Sequence, residues 1–361
     1  MDYRSRWQQR RQERLSRQRL IAILAVIAVA IAGVALVATR GVHGRPGYAL
    51  ASPGLCWVTP GPGMVLVCQR EGRLVRLTPD LSDQGTGWAR PFTQPAGFTG
   101  RAALTGGLAI VSCGDARLRA VELVTGVQSW ETIVGGAAAE PTVAGSEVFF
   151  GADDGKLYAV KTDDGAVAWS VLLGARIASA PLVTDDCVLV GTVAGLVQCV
   201  RRADGGKLWR ATLGGPVYAS PRQFADGVVI GCDDAKLYRI GPDGQVVGSF
   251  EMPGLIRAPA AVAGDAVVVG DTSGVVCRID ASDMSQVWRR RLGPSVQCAP
   301  VIDGDRVWCP AGRTLACLSL ATGHVLWRTR TRAQITDCAL EGGTIYWTTD
   351  AGCVLRRVTG R

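Results

Sequence analysis

PTVAGSEVFFGADDGKLYAVKTDDGAVAW, residues 141–169, holds the pattern on which the fold rests. A Pro opens it. A short β-rich run, VFFG (148–151), leads into the turn Asp153-Asp154-Gly155. A second run, KLYAV (156–160), leads into Asp164-Gly165, and a last short run ends at Trp169. Val, Phe and Tyr favour strands, and Asp-Gly pairs favour tight hairpin turns. The segment is therefore a four-stranded antiparallel meander, and it recurs along the chain. Its openings reappear at Ala180-Pro181, Ser220-Pro221, Ala258-Pro259 and Ala299-Pro300, and its first run reappears as VLVG (188–191), VVIG (228–231) and VVVG (267–270). Aromatic residues close the units at Trp88, Trp130, Trp169, Trp209, Phe250, Trp288 and Trp327, at spacings between 38 and 42 residues. One such sheet cannot bury both of its faces. Radial stacking about an axis buries each sheet against its neighbours, which predicts an all-β, eight-bladed β-propeller of four-stranded antiparallel blades.

Eight units end near residues 88, 130, 169, 209, 250, 288, 327 and 361. The last supplies Thr344–Thr348 and Cys353–Val358 but stops before its own fourth strand. Closure then needs a strand from elsewhere, and Arg45 to Ala51 is the nearby donor; seven blades plus an odd unit is the other count the pattern allows. We assign residues 50–361 to the propeller and 40–49 to a short linker or closing strand.

The chain has 361 residues, is 48% hydrophobic and 19% charged, and carries a formal net charge of +8. This composition excludes a disordered chain. Only two His, His43 and His324, are present, which argues against His-based metal or Ser-His-Asp chemistry. Residues 1–19 hold seven Arg against Asp2 and Glu13, a basic cytoplasmic tail of net +5, so the rest of the chain holds +3. A nucleic-acid binder carries its basic footprint on the folded domain, so no nucleic-acid partner is expected. Leu20 to Ala38 is an unbroken apolar run. At 1.5 Å per residue it spans about 28 Å, close to a ~30 Å hydrocarbon core. With the Arg cluster before it, the positive-inside rule makes residues 20–39 one N-terminal transmembrane signal anchor. The N-terminus lies inside and the propeller outside, periplasmic or extracellular. A cleaved signal peptide is the rival reading, but cleavage after Ala38 puts the bulky Leu36 where a small residue is wanted.

The best units share a motif: Ala120-x5-Gly126-x3-Trp130, Ala159-x5-Gly165-x3-Trp169, Cys199-x5-Gly205-x3-Trp209 and Cys317-x5-Gly323-x3-Trp327. It resembles the tryptophan-docking repeat of the pyrroloquinoline quinone (PQQ)-like propellers, in which the Trp packs between adjacent blades. That resemblance implies a blade-docking role for Trp88, Trp130, Trp169, Trp209, Phe250, Trp288 and Trp327. Phe250 stands for Trp, and Met284 stands where Gly is expected, so those blades are expected to dock less regularly. Within the family, quinoprotein dehydrogenases use a vicinal Cys pair, an Asn and acidic Ca²⁺ ligands, and a catalytic Asp. This sequence has no adjacent Cys pair and no Asn. The resemblance therefore implies the non-catalytic BamB-like branch: no catalytic residue, no cofactor, no metal, and protein partners in the cell envelope. The alternative is a ligand- or cofactor-binding propeller, either an extracytoplasmic sensor or a PQQ-dependent dehydrogenase-like protein.

Twelve Cys leave two hairpin pairings open, Cys56 with Cys68 and Cys298 with Cys309. Asp153-Asp154 and Asp233-Asp234 are expected as turn residues rather than calcium ligands, and GADDGK (151–156) as a hairpin rather than a phosphate loop. The strand opening each unit should line a central channel. Just before its Pro-equivalent position most units carry small residues, Ala180, Ser220, Ala258 and Ala299, whereas Arg101, Glu140, Arg257 and Asp337 are charged. These four are the candidate partner-binding funnel.

Overall fold

The computed structural model describes residues 47–82, 88–225 and 227–359. The basic tail and the apolar run 20–38 lie outside them, and among the described residues no helix is long and apolar enough to cross a membrane. The described chain forms eight four-stranded antiparallel sheets. Seven are meanders in chain order: blade 1 (56–93), blade 2 (103–133), blade 3 (142–172), blade 4 (182–212), blade 5 (222–251), blade 6 (261–291) and blade 7 (301–330). Blade 8 takes its three inner strands from residues 335–358 and its outer strand from Gly47–Ala49 at the other end of the chain. Gly47 pairs with Leu355, Tyr48 with Val354 and Ala49 with Cys353. The eighth blade is complete, and the ring is closed by joining first strand to last.

The apolar core is divided. Among the described residues there are eight apolar clusters, and each joins two neighbouring blades. Phe149, Leu157 and Ala159 of blade 3 meet Val188, Val190 and Val200 of blade 4. Val58, Val65 and Val67 of blade 1 meet Tyr346 and Val354 of blade 8, with Tyr48 and Leu50 packed alongside. This is the burial that a single sheet lacks, and it explains why the second strand of each blade is almost wholly buried.

Most of the Cys residues belong to these clusters. Cys68 and Cys113 lie between blades 1 and 2, Cys199 and Cys232 between blades 4 and 5. All twelve are free thiols. Cys56 stands opposite Gln69, and Cys68 opposite Trp57, so the first pairing fails by one residue of register and places its members on opposite faces. Cys298 lines the central cavity, whereas Cys309 is buried between blades 6 and 7. Burial pushes the Cys68 thiol well up, with the backbone of Ala102 only partly opposing it.

Blades 2 to 7 share a register shift between their third and fourth strands, immediately after the residue facing the docking position. Ala120 faces Trp130, Ala159 faces Trp169, Cys199 faces Trp209, Arg278 faces Trp288 and Cys317 faces Trp327. A bulge sharpens local twist, and this one presents each ring to the following blade. Trp130 Nε1–H donates to the Thr162 carbonyl at 2.9 Å, and Trp169 to that of Arg202 at 2.8 Å. Trp88 and Trp288 do the same to Leu123 and Leu320, at 2.9 and 2.8 Å. The face of each ring lies under a turn Gly. Gly165 has φ +71°, and a Cβ there would sit 2.5 Å from the Trp130 ring. Trp327 instead has the Arg357 guanidinium over its ring at 4.3 Å and Trp308 edge-on at 5.7 Å.

The register corrects the assignment at Phe250. In blade 5 the residue facing Arg239 is Gly248, while Phe250 faces Leu237, two places further along. Phe250 is half-buried against the blade 5–6 core but does not occupy the indole position. That position is filled from the other side: a Cβ on Gly248 would lie 2.9 Å from Met284 Cγ. At the junctions made by Trp88, Trp130, Trp169, Trp209 and Trp288, a large ring on one blade meets Gly on the next. Here Gly meets Met, and the two sequence departures are one inverted pair. Met284 holds φ +60° for it. Gly248→Trp alone should therefore overpack the junction and cost about 1–3 kcal/mol. Adding Met284→Gly should recover part of that loss, with a coupling of about 0.5–3 kcal/mol in a denaturation cycle. Strict additivity of the two changes would contradict the inverted pair.

Candidate functional site

The first strand of every blade faces the axis. Short polar bonds knit this inner ring: Thr59 Oγ1–H donates to Ala102 O at 3.1 Å, Thr99 to Ala138 O at 2.6 Å, and Thr142 to Pro181 O at 2.8 Å. They surround a cavity of about 330 Å³ to which all eight blades contribute. Its charged lining is Arg101, Glu140, Arg222 and Asp337.

Arg101 and Asp337 form a two-pronged ion pair. Arg101 Nε–H donates to Asp337 Oδ2 at 2.8 Å, and its Nη2 bonds Asp337 Oδ1 and, at 2.9 Å, the Cys338 carbonyl. Asp337 Oδ2 also accepts Val58 N–H at 2.9 Å, and Oδ1 accepts Cys338 N–H at 2.9 Å. One carboxylate thus holds together blade 8, the first strand of blade 1 and the segment entering blade 2. Burial works against the Arg101 charge, but the attraction and hydrogen bonds of Asp337, with Glu140 beyond, exceed it and raise the guanidinium above its ordinary value.

Glu140 packs over Gly100, whose missing side chain leaves it room. Burial pushes its carboxyl above the usual range, Arg101 opposes that rise, and the Asp337 charge adds to it. Arg222 is lowered by desolvation first and then by repulsion from Arg101, with Glu140 pulling the other way. A carboxylate raised by folding adds stability below its unfolded pKa and loses that contribution as pH rises through the folded value. Glu140→Gln should therefore melt higher than the parent at pH 7, with the gap closing as pH falls through the Glu140 titration. A lower melting point for Glu140→Gln at pH 7 would show that its attraction to the two arginines outweighs its desolvation.

The fourth predicted residue stands apart. Arg257 does not line the cavity. Its guanidinium pairs with Asp233, Nη2 to Oδ2 at 2.8 Å, and lies over the Tyr218 ring at 5.3 Å. Arg222 lies outside the sequence pattern, because it follows Pro221 whereas the pattern is defined by the residues before each Pro. The acidic turns are occupied by local bonds. Asp154 accepts Lys156 N–H at 3.0 Å and the Tyr158 hydroxyl at 2.6 Å, and Asp153 pairs with Arg176 at 2.7 Å.

These features define a tryptophan-docked, eight-bladed β-propeller with a charged axial mouth and a ring locked at its seam. The chain belongs to the outer membrane protein assembly factor BamB family, whose profile matches residues 70–228 and 225–359. BamB of Yersinia pestis is 23% identical over 260 residues, which are 63% of this chain and 56% of that protein. The match therefore spans little more than half the length of that relative. The crystal structure of BamB from Moraxella catarrhalis superposes with a TM-score of 0.74 at 16% identity, over 86% of this chain and 97% of that one. The computationally designed protein Ika8 gives 0.75 at 15% identity, over 86% and 98%. Sqt1 of Saccharomyces cerevisiae gives 0.74 at 12%, over 86% and 97%. Likeness at that level is a likeness of fold.

Proposed function

We propose that this chain is a membrane-anchored, exported scaffold of the cell envelope that holds protein partners at the axial mouth of its propeller and performs no chemistry of its own. The observation that carries the reading is the family match across both halves of the ring, in a family described as outer membrane protein assembly factors. Supporting it, the sequence has no Asn and no vicinal Cys pair, so the residue set of the quinoprotein branch is missing. The anchor is residues 20–38, preceded by the Arg-rich tail. Glu140, Arg222 and the Arg101–Asp337 pair offer both signs of charge at one mouth, and Arg257 with Asp233 extends that pattern outward. Complementary charge gives partner choice and encounter rate more than raw affinity.

The test is site-specific photocrosslinking of the full chain in its native membranes, with the probe at Ser220, on the wall of the mouth, and at Val124 on the exposed perimeter. The scaffold reading expects discrete adducts with envelope proteins from Ser220 that diminish with Glu140→Lys. Absence of any adduct from Ser220, or dye-linked oxidation of alcohols or sugars by the purified chain given PQQ and Ca²⁺, would overturn it.

A further inference from the structure

The charge of the folded domain is concentrated in one place. Residues 285–332 contain eight Arg and only two acidic residues, Asp303 and Asp305. Three of those arginines meet in one groove. Its floor and walls are the segment Leu292–Pro294 after blade 6, the blade 7 turn around Gly312 and Arg313, and Arg328 and Arg330 on the outer strand Val325–Arg330. Its volume is about 410 Å³. Among the described residues no carboxylate pairs with the Arg313, Arg328 or Arg330 side chains, whereas Arg101, Arg119, Arg202 and Arg257 all have acidic partners.

Cationic side chains commonly guard the free edge of an outer strand against aggregation. The fold does not require that here: the outer strand of blade 3, VAWSVL, carries no charge and leaves Val167 and Leu172 exposed. The outer strands of blades 6 and 7, SQVWRRR and VLWRTR, carry the arginines that blade 3 lacks. Arg328 and Arg330 alternate along one face of a strand, about 6.6 Å apart by strand rise. That strand pairs with Thr314–Ser319 and, among the described residues, with no other strand, so its outer edge offers free backbone groups. An extended segment adding to such an edge places alternate side chains at the same spacing.

We propose that this groove receives an extended acidic segment of a protein partner, with two carboxylates at alternate positions bound by Arg328 and Arg330 and a third contact from Arg313. Arginine forks match carboxylates in two-pronged geometry. The groove contains no aromatic ring on which a nucleobase would stack. A bilayer is not the favoured source of the negative charge. The closing strand runs from Gly47, paired with Leu355, to Ala49, paired with Cys353 beside the blade 8 turn equivalent to the groove's own turn. The first described residue, Gly47, thus lies on the side of the blade away from that turn. The groove adjoins the axial mouth through Gln334, whose Nε2–H donates to Gln297 Oε1 at 3.4 Å. The inference rests on the scaffold reading and names the chemistry of its partner.

The experiment uses the full chain in a zwitterionic detergent and the fluorescence anisotropy of a fluorescein-labelled octapeptide of alternating Asp and Val. Asn replaces Asp in the control peptide. The acidic peptide should bind, weaken with added salt, and lose at least ten-fold in affinity with Arg328→Glu/Arg330→Glu. Arg210→Glu, the same register position after Trp209 in blade 4, should leave binding within two-fold. Circular dichroism checks that each variant is folded. Equal binding of the Asn peptide, or no loss in the double variant, overturns the proposal. So does displacement of the acidic peptide by phosphatidylglycerol vesicles that bind the groove more tightly. None of these results alters crosslinking from Ser220, so failure here is separable from failure of the scaffold reading.

Discussion

Asp337→Ala is expected to destabilise the propeller by about 3 kcal/mol, the lower end of the ~3–5 kcal/mol seen when one partner of a buried ion pair is removed. The lower end applies because the Arg101 side chain keeps 28% of its exposure, against 5% for Asp337. The variant loses acceptors for Arg101, Val58 N–H and Cys338 N–H together. Arg101 then remains among Glu140, Arg222 and the Cys338 carbonyl without its main counter-charge. The loss should appear at the seam before it appears elsewhere. Hydrogen exchange should rise first in Gly47–Ala49, in Cys353–Val358 and in the first strand of blade 1, while blades 3 to 5 keep their protection. Asp337→Asn retains an acceptor but not the charge and should fall between parent and Ala. Replacing both partners with apolar residues, Arg101→Met with Asp337→Leu, should recover part of the loss, because no charge is then left unpaired. A loss below 1 kcal/mol for Asp337→Ala, with uniform exchange around the ring, would remove the carboxylate from any role in closure.

Trp130→Ala is the second large effect, at about 3–5 kcal/mol for truncating a core Trp. Only 8% of Trp130 is exposed, its indole N–H is bonded to blade 3, and its face is covered by Gly165. Gly165→Val attacks the same contact from the other side. It forces a β-branched residue to φ +71° and drives Cβ into the ring. The two changes share one cavity and should not add. In the double variant the Val side chain occupies space vacated by the indole, so the combined loss should fall short of the sum by about 0.5–3 kcal/mol. Chemical denaturation of the four proteins measures this directly, and additive losses would mean that ring and turn act independently.

The repeat made most of the architecture legible. Its period, its Asp-Gly turns and its Trp spacing are local features, and each four-strand meander forms from residues close in sequence. The short eighth unit likewise pointed to residues 45–51 as the closing donor, since a sheet with a missing strand leaves an edge to be filled. Phe250 shows where that legibility stopped. Spacing alone placed it among the docking tryptophans, but the bulge after Arg239 puts Gly248 at that position, with Met284 over it. A period near 40 residues tolerates an error of two. Strand register does not, because it decides which side chain faces the next blade.

The mouth was half visible. Arg101, Glu140 and Asp337 were recognisable as charges in a small-residue context, and Arg257 was grouped with them on the same ground. Nothing in the chain order joins Arg101 to Asp337 across 236 positions, or turns Arg257 outward onto Asp233. Chain-local chemistry settled the strands, the turns, the repeat and the likeness to a family, because hydrogen-bonded hairpins and apolar faces repeat within about 40 residues; the eighth blade was decided only by Gly47–Ala49 pairing with the last strand. Pairing at the seam, the inverted Gly248–Met284 junction and the gathering of Arg313, Arg328 and Arg330 into one groove depended on the closed ring. Those contacts involve charge and volume at positions remote in sequence, and closing the circle is what brings them within reach of one another.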